Sequence, residues 1–240
     1  MEVQLFIPCF IDQLYPQTAF NTMKILEMAG CKVHYNPGQT CCGQPAFNSG
    51  YWNEAGKLAR KFLNDFTDNM PVVSPSASCS SFVIHYYPQI LEGNELMMRR
   101  FSNLRPHIFE LTDFLVNVLK KEDFGAVFPH RVTFHDACSA LREYGLKNEA
   151  RQLLANVEGL ELVEMPERDT CCGFGGTFAV KNADISSAMA EKKVEFALHT
   201  GAEFILSTES SCLMNLQGYI RKKKLPIGVM HIADVLAQGL

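Results

Sequence analysis

Short apolar runs alternate with longer stretches in which apolar residues recur every three or four positions, and the alternation passes through the chain twice. Glu2 to Pro8 is a short apolar run that reads as a buried strand ending at Cys9. Helical spacing follows over 16–29, with Ala19, Met23, Leu26 and Met28 among its apolar positions and Gly30 as its stop. Residues 31–35 read as a second strand, which Asn36-Pro37-Gly38 breaks before a Cys-Cys-Gly. A polar loop then leads into a helix over 52–66, where Leu58, Phe62 and Phe66 share one face. Residues 71–74 form a third strand, and Cys79 stands where the next helix begins. Helical sequence continues to about Leu104, and Leu111, Phe114, Leu115, Val118 and Leu119 line one face of a closing helix.

The second half repeats the plan. Strands are expected over 131–135, 160–164 and 203–207, and helices over 146–156 and 185–199, with another opening at Cys212. Even the endings correspond, Glu110-Leu111-Thr112-Asp113-Phe114-Leu115 matching His231-Ile232-Ala233-Asp234-Val235-Leu236. Strands alternating with helices predict an α/β fold of two duplicated, pseudo-symmetric, Rossmann-like halves, each a small parallel sheet flanked by helices. Gly125, Pro129 and the loss of helical period put the boundary between 1–127 and 128–240.

Composition removes several function classes. Net charge is -4 over 240 residues, and the halves are balanced alike, so no polycationic surface speaks for nucleic acid. The start carries an acidic residue and no basic region, so it does not read as a signal peptide. The stretch 69–91 lacks Asp, Glu, Lys and Arg, but its serines, prolines and His85 argue against a membrane span. A cytoplasmic location is expected, and with it free thiols rather than a disulfide framework.

Eight of the 9 cysteines fall into two matching sets, Cys9, Cys41, Cys42 and Cys79, then Cys138, Cys171, Cys172 and Cys212. All lie just after a predicted strand or at a helix start, which gathers four thiols at the strand C-terminal edge of each half. Four soft, anionic thiolates suit either a zinc ion or an iron-sulfur cluster. Zinc sites usually draw on short Cys-x-x-Cys knuckles, so the wide spacing with an adjacent pair favours a multi-iron group, zinc in one or both halves being the weaker alternative. Residues 33–53 and 210–220 lack charged side chains, and Gly43 and Gly173-Phe174-Gly175-Gly176 let backbone approach the sulfurs. Cys31 has no counterpart in the second half and reads as core.

His135 and His231 are candidate supporting donors or substitute ligands. His135-Asp136-x-Cys138 also permits a nucleophile-base-orienter reading, weakened because Cys138 already belongs to a metal set. Arg221-Lys222-Lys223-Lys224 reads as a solvated helix end, with docking of an acidic partner as the lesser alternative.

With these residues placed, the chain resembles the cysteine-rich CCG-domain family, which includes the cysteine-rich subunit of heterodisulfide reductase and the glycolate oxidase iron-sulfur subunit, and within it the lactate-utilization members. The likeness rests on Cys9, Thr40 to Gly43 with Gln44-Pro45-Ala46, Asn48-Ser49-Gly50, Ser74-Pro75 with Ser78-Cys79, Cys138, Thr170 to Phe178, Cys212 and Met230-His231-Ile232-Ala233. It implies an iron-sulfur oxidoreductase subunit of a lactate utilization complex, active with companion iron-sulfur and accessory proteins in oxidising L-lactate to pyruvate. One cluster per half is implied, relaying electrons without a catalytic residue for lactate itself. Another 2-hydroxy acid, a thiol/disulfide substrate, or a structural zinc scaffold are the alternatives. The heterodisulfide reductase member has a Cys-x-x-Cys in each motif, and Ser76 and Glu209 occupy the first of those positions here.

Overall fold

The computed structural model describes residues 1–239. The first half runs β1 (Glu2–Leu5), α1 (Cys9–Leu14), α2 (Pro16–Met28), β2 (Lys32–Tyr35), α3 (Gln44–Asn48), α4 (Trp52–Asp65), β3 (Val72–Ser74), α5 (Ala77–Ile90), α6 (Glu95–Leu104), β4 (Ile108–Glu110) and α7 (Leu111–Asp113), which widens into a looser turn over Phe114–Val118. The second runs β5 (Arg131–Phe134), a wide helical turn over Ser139–Tyr144, α8 (Glu149–Leu154), β6 (Glu161–Leu162), α9 (Phe178–Lys181), α10 (Ala183–His199), β7 (Phe204–Ser207), α11 (Ser210–Lys223), β8 (Gly228–His231) and α12 (Ile232–Leu236). All strand pairings are parallel, in orders β2-β1-β3-β4 and β6-β5-β7-β8. The two sheets are therefore copies of one topology, as the repeated pattern predicts.

Two differences have local causes. Each sheet has a fourth strand, β4 or β8, that the hydrophobic pattern does not announce. These strands are 3 and 4 residues long, and each ends in a polar residue that caps the helix behind it. The loop expected after Gly43 contains α3, a single turn begun by Pro45 at a position where its missing N–H is harmless.

Apolar faces decide the layering. Val3, Ile25, Leu111 and Phe114 of the first half join Val132, Leu153, Leu206 and Val235 of the second in one continuous core, so α2, α7, α8 and α12 are sandwiched between the sheets. Phe62, Phe82 and Tyr87 cover the outer face of the first sheet, and Val194 and Leu216 pack on Ile205 at that of the second. Each fully buried aliphatic or aromatic side chain contributes about 1.5–3 kcal/mol, so the shared middle layer welds the halves together. Helix contacts cross in a reciprocal way. The helix α5 packs on the wide turn after Cys138, and α11 packs on α1, which begins at Cys9.

Candidate metal centre

Strand C-termini and helix starts place every sulfur. Cys9 opens α1 directly beyond β1, and Cys138 stands at the same point beyond β5. Cys79 and Cys212 are each the third residue of a helix, α5 and α11, where unpaired N–H groups give a positive end. Between them sit the Cys-Cys-Gly turns. Gly43 has φ of 99° and Gly173 of 88°, and each glycine N–H donates to the sulfur two residues before it at 3.4 Å. The second cysteine of each pair has its carbonyl fixed by a side-chain donor, the buried Tyr87 hydroxyl on Cys42 at 2.8 Å and the half-buried Asn215 amide on Cys172 at 2.9 Å.

The four cysteines of each half neighbour one another. Cys42 Sγ lies 3.5 Å from Cys79 Sγ, and Cys41 interacts electrostatically with Cys9 and Cys42. In the second half Cys171 is set in the same way between Cys138 and Cys172, with Cys212 beside Cys172. The thiol of Cys41 is held far below its ordinary range because Cys42 and Cys9 donate to it, and Cys171 likewise by Cys138 and Cys172. The donors Cys9, Cys42, Cys138 and Cys172 are pushed up by those same contacts and by burial. Each half thus holds one thiolate wrapped by thiols, a donor set whose remaining protons a metal would replace. The residues fit a thiolate-bound metal.

The two sets meet at one seam. Phe10, next to Cys9, makes an edge contact with Phe174, two residues after Cys172, at 5.5 Å between ring centroids. Glu209 of the second half accepts hydrogen bonds from the Ser78 N–H at 3.0 Å and the Ser76 hydroxyl at 3.1 Å in the first. Ser211 donates to its other oxygen at 3.0 Å.

The two candidate histidines have different settings. His231 caps α12 by accepting from the Ala233 N–H at 3.1 Å, and its other ring nitrogen donates to Pro75 O at 3.0 Å. His135 is wholly buried, and neither ring nitrogen makes a well-formed hydrogen bond, although the Arg168 backbone lies close enough to favour its charged form. A ring nitrogen of His135 and the sulfurs of Cys172 and Cys212 lie within 4.8 Å of one another. Burial, with the nearby Lys193 ammonium, pushes the imidazole down to about 3. Asp136 turns away to a bidentate pair with Arg151 at 2.9 Å and to Arg168 at 3.2 Å, so it does not orient His135 as a hydrolytic site requires. Cys31 packs in the middle core.

Sequence reasoning missed Lys193. It is 1% exposed, and its Nζ donates to Glu167 O at 2.6 Å. Its signal was available, since it stands on the apolar face of α10 with Ala190, Val194 and Ala197.

Comparison with known proteins agrees with this arrangement. The cysteine-rich CCG domain matches twice, over residues 3–83 and 132–217. Lactate utilization protein A 2 of Bacillus cereus is 41% identical over 240 residues, covering 100% of this chain and 99% of that protein. Lactate utilization protein A of Bacillus subtilis is 42% identical over 236 residues, covering 98% and 99%. Among solved structures, a hypothetical protein from Helicobacter pylori shares the fold with a TM-score of 0.68 at 12% identity, covering all of this chain and 49% of that one, so the chain spans about half its length. With both domain copies present and relatives aligned end to end, the chain belongs to the CCG cysteine-rich domain family, among the lactate utilization A proteins.

Proposed function

We propose that this chain is a cytoplasmic iron-sulfur electron-transfer subunit of a multi-protein system that oxidises L-lactate to pyruvate. Cys9, Cys41, Cys42 and Cys79 hold one cluster and Cys138, Cys171, Cys172 and Cys212 the other. The observation that carries the reading is the gathering of four cysteines at equivalent places of each half, with relatives named for lactate utilization supplying the process. A cluster bound there supplies one-electron transfer, whereas lactate gives up two electrons and two protons, so companion proteins carry the substrate chemistry. The chain's own residues supply the thiolates, aim the Gly43 and Gly173 N–H groups at sulfur and exclude water with Phe10 and Phe174. Among the described residues no helix is long and apolar enough to cross a membrane.

A structural zinc ion is the second reading, favoured in the second half by the imidazole and two sulfurs that converge there. Metal and acid-labile sulfide analysis of anaerobically purified protein, with its electron paramagnetic resonance spectrum, separates the two. Brown protein containing iron and sulfide is expected; stoichiometric zinc with neither would overturn the iron-sulfur reading.

A further inference from the structure

The backbone register gives His135 a counterpart in the first half. The His135 N–H bonds to Leu206 O at 2.8 Å, and at the same rung of the first sheet the Phe6 N–H bonds to Val73 O at 2.9 Å. The helices behind the two Cys-Cys-Gly turns align as well. Gly43 packs against Ala55 and Leu58, Gly173 against Ser186 and Met189, so four residues further on Phe62 corresponds to Lys193. Phe6 and Phe62 form an edge-to-face pair with centroids 5.0 Å apart. Beneath the first thiol set the chain therefore keeps two aromatic rings, and beneath the second it keeps a buried imidazole and a buried ammonium.

Such an exchange is costly unless the polar groups are used. A buried polar atom left without a partner is destabilising, and neither nitrogen of His135 makes a well-formed hydrogen bond. Lys193 is satisfied by Glu167 O. The groups converging on His135 are the sulfurs of Cys172 and Cys212, at a separation that donors to a common metal centre adopt.

We propose that His135 is a nitrogen ligand to the metal held by the second-half thiols, so that the two halves carry chemically different centres, sulfur-only in the first and sulfur with imidazole in the second. The proposal rests on the reading that those thiols bind metal, and it holds for iron or zinc alike. An imidazole added to the same number of thiolates makes the second-half centre electronically distinct from the first, so the two are reduced at different potentials.

Anaerobically purified whole protein, with natural-abundance or 15N-labelled histidine, is examined by pulsed electron paramagnetic resonance during stepwise reduction. If metal analysis finds zinc, which sinks the iron-sulfur reading alone, the same spectra are taken after cobalt(II) exchange. The expected result is a directly coordinated nitrogen whose coupling changes with the label and disappears in His135→Phe, which installs the residue of the first half. Only weak nitrogen couplings in labelled wild-type protein, or strong ones that survive in His135→Phe, overturn the proposal. The wild-type labelling decides the matter even if the variant does not fold.

Discussion

Glu209 caps the wrong helix. It is the residue before α11, and while one carboxylate oxygen accepts from Ser211 of that helix, the other accepts from Ser76 at 3.1 Å, 133 positions away in the other half, where Ser76 itself caps α5 through the Cys79 N–H. The two positions at which this chain departs from a Cys-x-x-Cys pattern are thus in contact, and a hydrogen-bonded clasp occupies the place between the two thiol sets. Replacing Glu209 by Ala strands the Ser78 N–H and the Ser76 hydroxyl and should lower the unfolding free energy by about 2–4 kcal/mol in urea titrations. Glu209→Gln keeps an acceptor and should lose less than Ala. An Ala variant within about 0.5 kcal/mol of wild type would show that the seam is held elsewhere.

Glu110, the counterpart of His231, caps α7 from a fully buried position, with one oxygen unpaired. Burial raises its carboxyl to about 8 against an ordinary 4.5, despite hydrogen bonds from Thr112 and Asp113. A raised carboxyl leaves stability intact below the unfolded value and removes it as pH climbs from about 4.5 to about 8. Glu110→Gln should flatten this part of the stability-pH curve by on the order of 2–4 kcal/mol relative to wild type. Parallel curves for the two proteins between those limits would refute the assignment.

The two Cys-Cys-Gly glycines are not equally replaceable. A Cβ at Gly43 would lie 3.5 Å from its nearest neighbours, but at Gly173 it would fall 2.8 Å from Ser186 O and 2.9 Å from Met189 Cβ. Both substitutions to Ala carry the left-handed backbone penalty of about 1–2 kcal/mol, and Gly173→Ala should lose about 1–3 kcal/mol more through overpacking. Thermal unfolding of the pair checks the order, and equal losses would mean that α10 shifts freely.

Cys42→Ser removes a fully buried member of the first thiol set and should reduce bound metal to about half while leaving the second-half signal in place. Metal analysis with paramagnetic resonance reads this directly. Loss from both halves would mean that the seam builds one joint centre.

Much of this was legible in the residues. The inner strands carry apolar pairs such as Val3 and Leu5, Val72 and Val73, Val132 and Phe134, and Ile205 and Leu206 between turn signals, and duplicated spacing marked the eight cysteines without structure. β4 and β8 were hidden because their last residues, Glu110 and His231, serve as helix caps and so break the apolar run. That capping also explains His231, whose two ring nitrogens are both engaged where a free donor was expected. Ser76 and Glu209 stood out individually, but their contact depends on which faces of the halves pack together, a tertiary choice that linear spacing does not encode.

The shared middle layer also sets a timetable for synthesis. When β4 and α7 emerge from the ribosome, Val3, Ile25, Leu111 and Phe114 have only first-half partners until Val132, Leu153 and Val235 follow. At about 5–20 residues per second the wait lasts about 6–24 s. For that interval the seam side of the first half, where Phe10 and Ser78 later meet Phe174 and Glu209, is uncovered.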